Sequence, residues 1–402
     1  MAGGLHCVRD AGLNFYAMDE ELRRFDAIRP FEPEEVPGAI DRMLADEQFR
    51  AVLTFAVPGV PFDKLVAQMK ECHTCLDFQL KFCYHFLDSI VKKMSDGCDM
   101  DCEAVSKEGR YTFVSNHRDI VLDSALLDKL LIDSGFGTTC EIAIGDNLLA
   151  APWIKDLVRL NKSFIVERSV GMREMLASSK RMSEYMHYVI ARKHDNIWIA
   201  QREGRAKDSD DRTQPSVLKM MAMGGDGSVA NRLRQLHIVP LTISYEYDPC
   251  DYLKAREFQL KRDVKDWKKT KADDVLSMQT GIMGRKGRIH YHCAPCIDGF
   301  LDTLPADMPK GELFETVAHH IDHEVHLNYR LYPGNYVAAH LLWPDKGFDG
   351  HFNVDERKTF VDYIESRLAM IELPNRDEQF LRECLLKMYA NPVRNHFAAM
   401  AE

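Results

Sequence analysis

Apolar positions in the first hundred residues recur at the helical spacing of three to four. Val36, Ile40, Met43 and Leu44 form one set, and Phe78, Leu80, Phe82, Phe86, Leu87, Ile90 and Val91 form another. Pro58 and Pro61, with Gly59 between them, divide this region, because neither residue type propagates a helix. The polar stretch from Ser95 to Gly109 closes it. Short β-branched runs then alternate with amphipathic helical patterns. The strand candidates are Tyr111 to Ser115, Cys140 to Ile144, Ser163 to Glu167, Ile197 to Gln201, Ile238 to Tyr245 and Arg288 to Cys293. Between the third and fourth of these, Met172, Met175, Leu176, Met182, Met186, Val189 and Ile190 mark one face of a helix.

Beyond Pro305 and Pro309 the pattern is helical again, through Ile321 to Leu331 and from Glu356 onward. No fixed-period repeat and no low-complexity segment interrupts it. Alternation of this kind predicts an α/β fold, a mixed sheet covered by helices. The expected organisation is a helical N-terminal region over 1–105, an α/β domain over 106–300 and a helical C-terminal region over 301–402.

Composition narrows the function classes. The 402 residues carry 52 Lys and Arg against 62 Asp and Glu, a net charge of −10, which argues against nucleic acid as a partner. No run approaches the roughly 20 apolar residues of a membrane-spanning helix, and the first thirty residues hold Asp, Glu and Arg where an export signal would be apolar. Eleven cysteines, an odd number on a long chain, fit reduced thiols in the cytoplasm. Chemistry on lipids from the aqueous side remains open.

The most informative stretch is Val114-Ser115-Asn116-His117-Arg118-Asp119-Ile120-Val121-Leu122-Asp123, a β-type run that ends in a polar cluster and flows into a helical pattern. A carboxylate there could accept the proton on one ring nitrogen of His117 and leave the other nitrogen to act as a general base. Alternatively, His117 caps the helix and the aspartates favour its N-terminus electrostatically. Taken alone, the segment fits the capping role better.

Three further segments follow in order: Lys162-Ser163-Phe164-Ile165-Val166-Glu167-Arg168, then Glu203-Gly204-Arg205, then Ile238-Val239-Pro240-Leu241. With Asn116 to Asp123 they resemble the four blocks of the glycerolipid acyltransferase superfamily, over residues 111 to 245. The resemblance implies that His117 is the general base on an acceptor hydroxyl and that a family Asp holds it. Asp123 fits that Asp, with the apolar run Ala125-Leu126-Leu127 after it, although five residues separate it from His117 where the family has four. Asp119 is the reserve candidate. The second block implies that Arg168 contacts an acceptor phosphate, which its planar fork suits; Lys162 stands where the family has Gly and is counted with Arg168 among the substrate-binding candidates. In the third block Glu203 and Gly204 match, Arg205 follows one residue early, and Lys207 is the substitute. Arg202, Arg205, Lys207 and Arg212 together suit an anionic head group, while Asp208, Asp210 and Asp211 would equally suit a solvated turn.

The resemblance implies direct transfer from acyl-CoA or acyl carrier protein to glycerol 3-phosphate or 1-acylglycerol 3-phosphate, with no cofactor. The altered second and third blocks leave two alternatives: acylation of amino-acid-based or other non-phosphorus lipids, and a non-catalytic scaffold that binds lipid or carrier protein. No Gly-x-Ser-x-Gly elbow is present.

Other signals carry less. Cys72 and Cys75, Cys98 and Cys102, and His290, His292, Cys293 and Cys296 lack the spacing of a zinc finger or ribbon, so no metal is expected. His319, His320, His323 and His326 read as a helix surface. The Met stripe reads as core more readily than as an acyl groove. Residues 253 to 271 hold eight basic residues against three acidic, with Phe258 and Trp267 among them. Such a segment suits an anionic membrane surface, where each basic residue contributes about 1 kcal/mol. The expected location is therefore cytoplasmic, with peripheral association at the inner face of the cell membrane.

Overall fold

The computed structural model describes residues 20–56, 59–149, 151–168 and 171–402. Pro58 and residues 1–19, which carry part of the N-terminal pattern, lie outside the described residues. Seven strands form one sheet: β1 (Gly97–Asp101), β2 (Thr112–Ser115), β3 (Cys140–Gly145), β4 (Ser163–Val166), β5 (Asn196–Ala200), β6 (Ile238–Tyr245) and β7 (Arg288–Cys293). Their order is β1-β7-β6-β2-β5-β3-β4. Every neighbouring pair is parallel except β6 and β7, so the sheet is mixed and helices cover it, as the alternation predicts. The parallel strands β2 to β6 all end at the same edge. Ligands of open α/β sheets sit at that edge.

The six expected strands are present, and β1 is additional. It lies in the polar stretch read as the end of the N-terminal helices. With only Cys98 and Met100 apolar and partial exposure throughout, it is an edge strand that needs one covered face. β2, by contrast, is buried at every residue between β5 and β6, and a strand covered on both faces reads as an unbroken apolar run.

Two apolar layers sandwich the sheet. One gathers Phe164, Met182, Tyr185, Met186 and Val189 with Val317, Ile321 and Val325 of helix Lys310–Leu327. The other gathers Phe113, Val239 and Tyr291 with Leu126, Leu127 and Leu130 of helix Leu122–Asp133. The Met stripe is thus core in its second half, whereas Met175 and Leu176 are exposed. A third cluster is built on helix Glu378–Met400 and takes in Ala255 of helix Asp251–Asp263. Phe258 packs against it and is not a surface aromatic. The histidine helix also departs from its expected exposure: His326 is buried, and His320 stacks on Phe300 with ring centroids 3.8 Å apart. All ten described cysteines are free.

Candidate active site

β2 ends in Asn116, a fully buried amide that replaces a rung of the ladder. Its Nδ2 donates to the Ile243 carbonyl at 2.9 Å, and its Oδ1 accepts the Ile243 N–H at 2.8 Å. This pins the chain as it leaves the sheet and sets His117 at the C-terminal edge. His117 Nδ1 lies 2.8 Å from Asp123 Oδ2. The same oxygen accepts the backbone N–H of Arg118 at 2.6 Å and of Asp119 at 3.0 Å, so the turn itself orients the carboxylate. Ile120 and Val121 form that turn before the helix starts at Leu122, and they absorb the extra residue of spacing. Behind the pair, the Tyr291 hydroxyl donates to the Asp123 carbonyl at 2.9 Å. The His117 ring meets Trp198 edge-on at 5.6 Å, and the Trp198 indole N–H donates to Ser115 Oγ at 3.0 Å. Nε2 of His117 has no hydrogen-bond partner among the described residues, and the side chain is 14% exposed. The nitrogen opposite Asp123 is thus the one left to a ligand.

Asp119 is placed differently. Its Oδ1 accepts the N–H groups of Val121 and Leu122 at 2.9 and 2.8 Å, which is a helix cap. Burial, with Asp123 close by, pushes its carboxyl above the ordinary range. Helix Lys271–Met283 lies against it through Gly281, where a Cβ would fall on Asp119 Oδ2.

Two buried ion pairs brace this loop. The Arg118 guanidinium is bidentate to Asp211 at 2.7 and 2.6 Å, and Asp211 also accepts the Tyr329 hydroxyl. Burial works against the Arg118 charge, but Asp211 beside it holds the group above its ordinary range. Asp211 is therefore fully buried, not part of a solvated turn. From the other side, Lys254 donates to the Arg118 carbonyl at 3.0 Å and pairs with Asp248. At 2% exposure it cannot serve the membrane surface that the charge count of 253 to 271 suggests. Much of the remaining charge there is also paired: Arg256 with Asp273, Lys261 with Glu257, Arg262 with Asp377 and Lys269 with Asp274.

Loop 201–214 reaches the same edge. Gly204 has φ +68, a left-handed backbone that explains glycine there. Arg205 follows; its Nη1 is buried with no hydrogen-bond partner among the described residues, and its charge acts on Asp119 and Asp248. Lys207 is committed to Glu257 at 2.9 Å, and burial lowers its pKa. Glu203 is exposed, 3.5 Å from Arg168 Nη1. Arg168 leaves the end of β4 beside Gly145 of β3, whose missing Cβ would lie 3.2 Å from Arg168 Nε.

Lys162 requires a correction. It starts β4, at the edge opposite His117, and is buried with its Nζ 2.9 Å from Asp195 and 3.1 Å from Thr138 Oγ1. Its φ is +54, so the backbone conformation favours the glycine that the block pattern has there. The side chain braces strand starts and does not join the site. Sequence reading also missed Lys286, 1% exposed, whose Nζ donates to the carbonyls of Ile282 and Gly284. Its charge interacts with Asp119, but burial dominates and brings its pKa down to about 8.

A histidine held by a buried carboxylate at the C-terminal edge of a mixed sheet, with two arginines delivered by neighbouring loops, is an arrangement able to take a proton from a ligand hydroxyl and to meet an anionic group. Residues 100–244 match the Acyltransferase family model, a span that takes in all four blocks. By this match, that segment is an acyltransferase domain. Among solved structures, the 1-acyl-sn-glycerophosphate (LPA) acyltransferase PlsC of Thermotoga maritima aligns over 71% of this chain and 91% of that one, at 10% identity and a TM-score of 0.36. No curated protein matches the chain.

Proposed function

We propose that the chain transfers a fatty acyl group from acyl-CoA or acyl carrier protein to a hydroxyl of glycerol 3-phosphate or 1-acylglycerol 3-phosphate. The observation that carries this reading is the pairing of His117 Nδ1 with Asp123, which leaves Nε2 open at the ligand edge. Nε2 takes the acceptor's hydroxyl proton as its oxygen attacks the thioester carbonyl carbon. The tetrahedral intermediate then collapses, the carbon–sulfur bond breaks, and the departing thiolate receives the proton from His117. General-base assistance supplies roughly 10²–10⁴-fold. Arg205, whose Nη1 has no hydrogen-bond partner among the described residues, is the phosphate contact we favour; Arg168 is the second and must release Glu203 to serve.

The lipid acceptor is met at an anionic membrane surface. No described helix is long and apolar enough to cross a membrane. Helix Lys271–Met283, which backs onto Asp119 through Gly281, turns Val275, Leu276 and Met283 outward, and Val264 is exposed nearby in sequence. Lys265, Lys268 and Lys271, close by in sequence, are exposed and have no acidic partner among the described residues. A stretch of chain with both exposed apolar groups and unpaired lysines suits a head-group layer. A panel of hydroxyl acceptors, phosphorylated and amino-acid-based, assayed with both donors by thiol release, tests the chemistry. Acceptor-dependent release with the phosphorylated members supports it, and release that needs no acceptor, or none at all, refutes it. Salt-sensitive sedimentation with anionic vesicles tests the surface.

A further inference from the structure

At the edge opposite His117, three donors from separate parts of the chain converge. His237 is the last residue before β6, Cys296 lies on the loop that leaves β7, and Asp298 opens the short helix Asp298–Thr303 that follows that loop. Backbone bonds hold that loop against the start of β6: Ala294 N–H donates to the Pro240 carbonyl at 3.0 Å, and Ile297 N–H to the Ile238 carbonyl at 2.9 Å. One ring nitrogen of His237, the Cys296 sulfur and one carboxylate oxygen of Asp298 all lie within 4.8 Å of one another. His237 Nδ1 is 2.6 Å from Asp298 Oδ2, while Asp298 Oδ1 is buried with no hydrogen-bond partner among the described residues. No Lys or Arg among the described residues pairs with Asp298.

We infer that His237, Cys296 and Asp298 form a binding site for a zinc ion that clips the start of β6 to the loop leaving β7, apart from the acyl-transfer site. A thiolate, an imidazole and a carboxylate are the ligands zinc takes, whereas magnesium and calcium take oxygen alone. Three atoms no more than 4.8 Å apart share a point at most about 2.8 Å from each, against zinc–ligand bonds of about 2.0–2.3 Å. The closure needed is at most about 0.5–0.8 Å, which the half-exposed His237 side chain and the loop carrying Cys296 can supply. Water completes the tetrahedron on the open side. On binding, the Cys296 thiol loses its proton to solvent and His237 Nδ1 gives up its hydrogen, the ring proton moving to Nε2. The ion also gives Asp298 Oδ1 the partner it lacks. Sequence spacing hides this site, because His237 is far along the chain from the two residues it joins.

The test is cobalt titration of the purified, chelator-treated full chain, followed by zinc displacement. One equivalent of Co²⁺ is expected to produce a thiolate-to-cobalt charge-transfer band that zinc abolishes. The band is lost in Cys296→Ser and kept in Cys102→Ser, and affinity falls at least tenfold in His237→Ala and Asp298→Asn. Zinc should raise the melting temperature of the wild type and leave that of Cys296→Ser unmoved. Absence of the band in the wild type, or its persistence in Cys296→Ser, overturns the inference. If Cys296→Ser does not fold, zinc protection of Cys296 against alkylation in the wild type, read by peptide mapping, decides it: unchanged labelling refutes the site.

Discussion

Replacing Asp123 with Asn separates the charge of this carboxylate from its geometry. Asp123 Oδ2 accepts three donors, His117 Nδ1–H and the backbone N–H groups of Arg118 and Asp119, whereas Oδ1 is buried without a partner among the described residues. The two backbone donors admit only an acceptor at the Oδ2 position, so the Asn oxygen is forced there and its NH₂ takes the place of Oδ1. His117 then keeps both its orientation and its tautomer. Only the difference between a charge-assisted and a neutral hydrogen bond is lost, about 1–2 kcal/mol, which corresponds to roughly 5–30-fold in turnover. Asp123→Ala instead strands two backbone N–H groups at about 1–3 kcal/mol each, and should be destabilised by about 2–6 kcal/mol. The assay is single-turnover thiol release with acceptor, alongside urea unfolding of each variant. A loss near 10⁴-fold in Asp123→Asn at unchanged stability would mean that the amide has flipped and the tautomer is wrong, which refutes the pinned-oxygen geometry. No loss at all would remove the carboxylate charge from catalysis.

Gly281→Ala gains about 1 kcal/mol of helix propensity but drives a Cβ onto the Asp119 carboxylate; overpacking and loss of the cap, about 1–3 and 0.5–2 kcal/mol, outweigh it. Net destabilisation of about 0.5–4 kcal/mol is expected in urea unfolding, and a stabilised variant would contradict the close approach. Lys286 has its pKa lowered to about 8 by burial, so its neutral form favours the fold: the penalty is full below pH 8 and is relieved as pH rises towards 10.5. The stability of Lys286→Met relative to wild type should therefore fall by about 3 kcal/mol between pH 7 and 10.5; a pH-independent difference would refute burial of a charged ammonium. Arg205→Ala should raise KM for a phosphorylated acceptor at least tenfold, while Lys207→Ala, already paired to Glu257, should change it less than threefold. The reverse order would move the phosphate contact to Lys207.

Six strands were legible because their apolar runs are buried on one or both faces, and β1 was not because an edge strand with Asp99 and Asp101 looks like a loop. His117 and Asp123 could be named together because six positions of local chain join them. What supports them could not: Asp211 is 93 residues from Arg118, and Lys254 is 136 residues from the same loop. Counting charge over 253 to 271 misjudged Lys254 for the same reason, since a count does not see the buried partner Asp248. Lys162 shows the converse. The block pattern placed it in the site, but the position selects a backbone conformation, not a side-chain function.

The central claim is that His117 removes the acceptor proton. Acceptor-dependent thiol release by His117→Ala, beside wild type and with near-wild-type unfolding, measures it most directly. The account predicts a loss of at least roughly 10²–10⁴-fold. Turnover within a factor of a few of wild type would contradict it.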